Sequence, residues 1–278
     1  MRNSNCEKPR ERSKLRLWAG KCFYSTLKQI SRIKHRPYAL KRTDTPLGET
    51  VFRHETILLR RLKDIDMRFQ YNKITNLRIA SSRVDGLLLY PGETFSYWKL
   101  IGRPTYRKGY LDGLVLGSGK LVAGVGGGLC QLSNLIYWMT LHTPLTVVER
   151  HRHGYDLFPD SNRTQPFGSG ATCYYPYGDL MIRNDTDMVF QLRVRVGEEN
   201  LEGEWRSDTP LGIRYEIIER NHMMKSEFWG GFSRHNEIWR RIYNDEGELI
   251  SEELITENHA LMTYSPFIES AFGASHDA

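Results

Sequence analysis

The stretch 120-KLVAGVGGGLCQLSNLIYWMTLH-142 packs four glycines, Gly124, Gly126, Gly127 and Gly128, into five residues and then opens an apolar run at Cys130. Within that run Leu132, Leu135, Ile136 and Met139 recur three and four apart, the spacing of a core-facing helix. The segment after it, 144-PLTVVERH-151, is β-branched and reads as a strand. A Gly-rich loop, a helix and a strand therefore form the predicted centre of the fold.

Working outward, 55-ETILLRRLKDIDMRFQYN-72 places Leu58, Leu62, Ile65 and Phe69 on one stripe and predicts a helix ending at Asn72. A shorter helix is expected over 75-TNLRIASSRV-84 with Thr75 as its N-cap. Leu87 to Leu89 form a buried strand stopped by the Pro-Gly turn of 90-YPGE-93, and 94-TFSYWKLIG-102 resumes as extended chain. From Leu180 onward the pattern is almost wholly β. Strand-length runs are separated by turn residues such as Asn184-Asp185 and Asp245-Glu246-Gly247. The expected class is α+β, with N-terminal helices, the central loop–helix–strand unit and a β-rich C-terminal part. Three regions are expected: a basic tail with an amphipathic helix (1–42), a central domain (43–195) and a β-rich extension packed on it (196–278).

The 278 residues are 40% hydrophobic and 12% aromatic, enough for a substantial core. No window approaches the roughly 18 to 20 consecutive apolar residues of a membrane span, and no secretory pattern opens the sequence. The net charge of +6 is unevenly placed, because residues 1–42 hold 13 Lys/Arg against Glu7 and Glu11. The basicity belongs to the tail, so nucleic-acid binding is not expected. From Lys14 a helical period sets Leu15, Trp18, Cys22, Leu27, Ile30 and Ile33 near one face, with Lys14, Arg16, Lys21, Lys28 and Arg32 largely off it. Such a helix over 14–34 suits peripheral contact with an anionic membrane, or docking on its own domain. Four cysteines without CxxC spacing suggest reduced thiols and a cytoplasmic setting, or one at the inner membrane surface.

Several residues could carry chemistry. Gly126, Gly127 and Gly128 before a helix start suit an anion, although the Lys-Ser/Thr pair of a nucleotide loop is missing. Cys130, at the first helical turn, is placed where a thiol pKa is lowered. His151 and His153 share strand parity with Glu149, so an imidazole base oriented by a carboxylate is conceivable beside the thiol. Gln131 or backbone amides would then serve an oxyanion. Against this stand plainer readings: a packed cysteine, a hydrogen-bonded strand end and a tight turn. A zinc site of Cys130, His151 and His153 is acceptable by ligand type, yet its ligands come from separate segments, and no metal or other cofactor is expected. Ser96, Tyr97, Trp98, Tyr174, Tyr175 and Tyr177 supply aromatic faces and hydroxyls that suit core, turns or a groove wall.

Taken together, Pro91-Gly92-Glu93 with Phe95-Ser96, Gly109-Tyr110, the Gly126 to Gln131 block, Glu149-Arg150-His151 with His153, and Asp179-Leu180 followed by Asn184 resemble the VanW family over about residues 75–190. That family takes its name from an accessory protein of B-type vancomycin resistance clusters. The resemblance implies a role in cell-wall metabolism and glycopeptide resistance. The chain departs from the usual pattern at Leu132-Ser133-Asn134, at Gly154 and at Gly170, where longer members carry an acid. Two readings follow. In one, Cys130 with His153 or His151 and Glu149 forms a hydrolase or acyl transferase acting on peptidoglycan or precursor peptides. In the other, the glycines, Gln131 and Ser96 hold a wall-precursor carboxylate or phosphate without cutting any bond.

Overall fold

The computed structural model describes residues 13–59, 66–117, 120–156 and 165–265. Helix α1 (Lys14–Lys34) leads into β1 (Glu49–Ile57), α2 (Arg68–Val84), β2 (Leu87–Leu89), β3 (Thr94–Ser96) and the short α3 (Tyr97–Ile101). The hairpin β4 (Asp112–Gly117) and β5 (Lys120–Val125) precedes α4 (Cys130–Thr140), β6 (Thr146–Glu149), β7 (Tyr155–Asp156) and β8 (Met181–Arg183). The chain ends in β9 (Phe190–Val196), β10 (Asn200–Ser207), β11 (Ile213–Ser226), β12 (Phe232–Asn244) and β13 (Leu249–Met262). The class is α+β with a β-rich C-terminal part.

The core lies between an antiparallel sheet of order β1-β10-β9-β2 and the helices α2 and α4. Helix α4 is apolar almost all round, and accordingly Leu132, Leu135, Ile136 and Met139 are fully buried. It lies against β10 at Gly203, where a Cβ would meet Met139 Cε at 2.7 Å. Next to it, Trp205 Nε1 donates to Thr140 Oγ1 at 3.1 Å. The opposite face of the sheet is wet and carries ion pairs such as Arg195 with Glu202.

Three local expectations are corrected. Residues 55–57 are the end of β1, held by pairing with β10 from Glu49↔Ser207 to Ile57↔Asn200, so apolar spacing there belongs to a strand. Leu62 and Ile65 lie outside the described residues. Thr75 is interior to α2, which runs unbroken from Arg68 to Val84. The extended run expected from Thr94 turns helical at Tyr97, because the Ser96 hydroxyl accepts from Lys99 N and caps α3.

The β9–β10 hairpin carries the first sheet across residue 196 as far as Ser207. The meander β11-β12-β13, extended by β7, forms a separate sheet. It is fastened to the rest through Asn236 Nδ2 on Phe167 O at 2.7 Å and Arg240 on Thr143 O at 2.9 Å. The third sheet, β3-β8-β6, is small, yet it sets the site: Ser96 and Glu149 both register with Met181, one from each side.

Candidate functional site

The glycine block is a structural turn. Gly126 N donates to Leu111 O, Gly127 N to Gly124 O and Gly128 N to Leu114 O, at 3.0, 3.0 and 3.1 Å. Those amides are consumed by carbonyls and form no anion nest. Glycine is required at Gly127 for a different reason, since a Cβ there would lie 2.1 Å from the carbonyl carbon of Gly113 on β4. Buried Asn76 clamps the crossing by donating to Leu111 O and Gly127 O and accepting from Leu111 N. Tyr97 Oη closes it by donating to Leu129 O at 2.9 Å.

Cys130 begins α4 as expected, but its surroundings are those of a packed thiol. The Sγ lies 3.8 Å from Cys173 O, and burial pushes its pKa up, against the opposing pull of backbone hydrogen bonds. The lowering expected at a helix start is therefore reversed by desolvation. No hydrogen bond joins Cys130 to His151 or His153. Gln131 turns toward β1, donating to Thr56 Oγ1 at 2.9 Å and Ile57 O at 3.0 Å. His153 makes no hydrogen bond among the described residues, and burial lowers its pKa. Both histidines sit beyond the end of β6 rather than within it, so strand parity does not orient them. Among the described residues no three His, Cys, Asp or Glu side chains gather as metal ligands.

Glu149 and His151 come together in a cluster with Tyr174, Asp179 and Lys28. His151 Nε2 donates to Glu149 Oε1 at 2.9 Å, which leaves Nδ1 to accept from Tyr174 Oη at 3.1 Å. Glu149 Oε1 also accepts from Asp179 N at 3.1 Å, and its other oxygen accepts from Lys28 Nζ of α1. Lys28 reaches Asp179 Oδ2 at 3.7 Å and Met181 Sδ at 3.2 Å. Asp179 accepts in turn from Ser96 Oγ at 2.7 Å and Trp98 N at 3.0 Å. Burial raises the Glu149 carboxyl, but the His151 and Lys28 hydrogen bonds outweigh it and hold the pKa below the usual range. At Asp179 burial wins, and the pKa is raised despite Lys28 and Ser96.

Above this floor opens a cleft of about 320 Å³, lined by Tyr24, Leu27, Lys28 and Ser31 of α1 with Glu149, His151, Tyr174 and Tyr177. Tyr177 packs between Tyr24 and Tyr174, with ring centroids at 6.0 and 5.1 Å. A larger depression of about 360 Å³ beside Leu211 and Arg214 holds no imidazole or thiol. The arrangement offers two aromatic walls, a hydroxyl and an imidazole whose proton position is fixed by a carboxylate. Such a relay can exchange hydrogen bonds with a polar ligand and pass a proton along the Tyr174–His151 link. The sequence held the signal for Tyr174 and Tyr177 in their aromatic clustering. Nothing in the local pattern marked Lys28, which looked like one more cation on a basic helix.

The chain is thus an α+β protein with a Gly-rich turn and an aromatic cleft over a buried lysine–carboxylate cluster. The family model described as VanW like protein matches residues 72–206, a span that holds Glu149, His151, Tyr174 and Asp179 but not Lys28. The chain is 35% identical over 252 residues to the Vancomycin B-type resistance protein VanW of Enterococcus faecalis, covering 90% of this chain and 86% of that protein. It therefore belongs to the VanW family. It is also 28% identical over 123 residues to the Uncharacterized protein YoaR of Bacillus subtilis, covering 43% of this chain and 38% of that protein. No solved structure matches the chain.

Proposed function

We propose that this VanW-family protein serves vancomycin resistance by binding a peptidoglycan fragment or precursor peptide in the cleft over His151, as a recognition module rather than a Cys130 hydrolase. The observation that carries this reading is the Tyr174–His151–Glu149 chain at the floor of the aromatic cleft. A muropeptide offers sugar faces for the tyrosines and amides, hydroxyls and carboxylates for the relay. The cleft volume of about 320 Å³ suits a small part of such a ligand rather than a whole strand. Ser96 acts beneath the floor through Asp179 and not as a ligand contact.

Hydrolysis or acyl transfer by Cys130 with His151 or His153 draws less support, since the thiol lacks an imidazole partner and burial disfavours its thiolate. Isothermal titration with a soluble disaccharide pentapeptide separates the two. The expected result is binding that His151→Ala weakens by about tenfold, because Tyr174 Oη loses the acceptor that orients it, and that Cys130→Ser leaves unchanged. Absence of binding at millimolar ligand, or turnover of the pentapeptide that Cys130→Ser abolishes, overturns the reading.

A further inference from the structure

Helix α1 is oriented against the usual rule for a surface helix. It turns its polar side to the body, where Lys28 is buried and Ser25, Ser31 and Arg32 are partly covered. Among its described side chains, Leu15, Trp18, Phe23, Leu27, Ile30 and Ile33 are all exposed, Leu15 by 74% and Ile33 by 63%. Single exposed apolar residues are ordinary, but a continuous stripe on one helix calls for a cover. The helix carries six Lys/Arg and no acid. Exposed Arg16 and Lys34 border the stripe, and four further Lys/Arg precede the helix in residues 1–12. A second copy of α1 would bring like charges together, whereas an anionic surface complements them. Among the described residues no helix is long and apolar enough to cross a membrane, which fits a helix that lies in the interface.

We infer that α1 is a membrane-docking helix, with its outward stripe seated among the headgroups of an anionic bilayer and its inner side pinned to the fold by Lys28. Trp18 and Tyr24 supply amphipathic aromatic residues suited to that depth, and Phe23 a wholly apolar ring. Because Tyr24, Leu27, Lys28 and Ser31 also wall the cleft, docking brings the cleft mouth to the lipid surface. This second consequence rests on the binding role proposed above. It makes the ligand one displayed at the bilayer surface, as a lipid-carried precursor is.

Flotation of the full chain with phosphatidylcholine vesicles, with and without phosphatidylglycerol, tests it. Binding is expected only with phosphatidylglycerol and should weaken with added salt. The double variant Arg16→Gln with Lys34→Gln should bind about 30-fold less, a factor of about five per charge. Phe23→Ser with Ile30→Ser and Ile33→Ser should lose about tenfold or more, because three apolar anchors leave the interface. These side chains are exposed, so soluble-pentapeptide binding by the triple variant should persist, while His151→Ala should weaken pentapeptide binding about tenfold and keep vesicles. The two proposals can thus fail separately. No vesicle binding by the unaltered chain, equal binding to both vesicle types, salt-insensitive binding, or a lipid-free dimer that the triple variant dissolves overturns the docking inference.

Discussion

Replacing Lys28 by Met removes the cation that pairs with both Glu149 and Asp179. Lys28 and Asp179 are both buried, so the substitution leaves two carboxylates facing each other in a site that water reaches poorly. Removing one partner of a buried ion pair costs about 3–5 kcal/mol. The surviving donors, Ser96 Oγ and Trp98 N on Asp179 and His151 Nε2 on Glu149, place the expected loss near the lower end, about 3 kcal/mol. The pH dependence has a definite sign. Burial already raises the Asp179 pKa, and Lys28 is the strongest opposing influence, so its removal raises that pKa further. A carboxyl whose folded pKa exceeds its unfolded value stabilises the fold at low pH and ceases to do so as pH climbs through the raised pKa. The deficit of Lys28→Met should therefore be largest near about pH 8 and shrink toward about pH 5. Adding Asp179→Asn should recover part of it. Urea unfolding of both proteins at the two pH values measures the deficit, and limited proteolysis within 14–34 reports release of α1, which hydrates the carboxylates and caps the loss. A deficit below about 1 kcal/mol at high pH with α1 equally protected, or one that grows on acidification, refutes the reasoning.

Gly127→Ala should destabilise by about 3 kcal/mol or more in chemical denaturation, since its Cβ falls 2.1 Å from the Gly113 carbonyl carbon; a neutral effect would show that the turn can open. His142 stacks on Phe52 at 3.7 Å, and burial, against a hydrogen bond to Trp138 O, lowers its pKa to about 4. Between about pH 6.5 and 4 the unfolded chain takes up a proton that the folded imidazole refuses, so up to about 3 kcal/mol of stability should be lost over that window. His142→Phe should flatten the loss, and an unchanged acid profile would count against it. With Cys6 and Cys22 replaced by Ser, the alkylation midpoint of Cys130 should lie above the ordinary thiol range, as burial dictates; a reactive thiolate at neutral pH would restore the nucleophile reading.

What could be read from the sequence was what local period determines. Helix α4 and the strands after Leu180 emerged because their apolar spacing has one reading and their boundaries carry turn residues. Residues 55–57 did not, because Leu58, Leu62, Ile65 and Phe69 are spaced for a helix while the strand is imposed by a partner about 145 residues away. Pairing between distant segments leaves little trace in either one. The same limit hid Lys28, whose partner Glu149 is 121 residues distant. Glu149 and His151 are visible as a spacing, whereas their neighbours Tyr174 and Asp179 come from a distant segment.

The glycine block left both of its readings open for a sharper physical reason. A run of glycines before a helix looks the same whether its amides await an anion or already serve a carbonyl, and only the approach of β4 decides it. Yet the block still bears on the cleft. By fixing where α4 begins, it sets Ser133 Oγ on Ala171 O at 2.6 Å and Asn134 Oδ1 under Ala171 N at 2.7 Å. Cys130 meets Cys173 O in the same way, and Thr172 N donates to His151 O at 2.8 Å. The first turn of α4 thus holds residues 171–173 along their backbone, and that segment delivers Tyr174 to His151. On this geometry the Gly-Cys-Gln block and the Glu-Arg-His segment occur together because one is the scaffold for the other, with Cys130 Sγ turned to the Cys173 carbonyl.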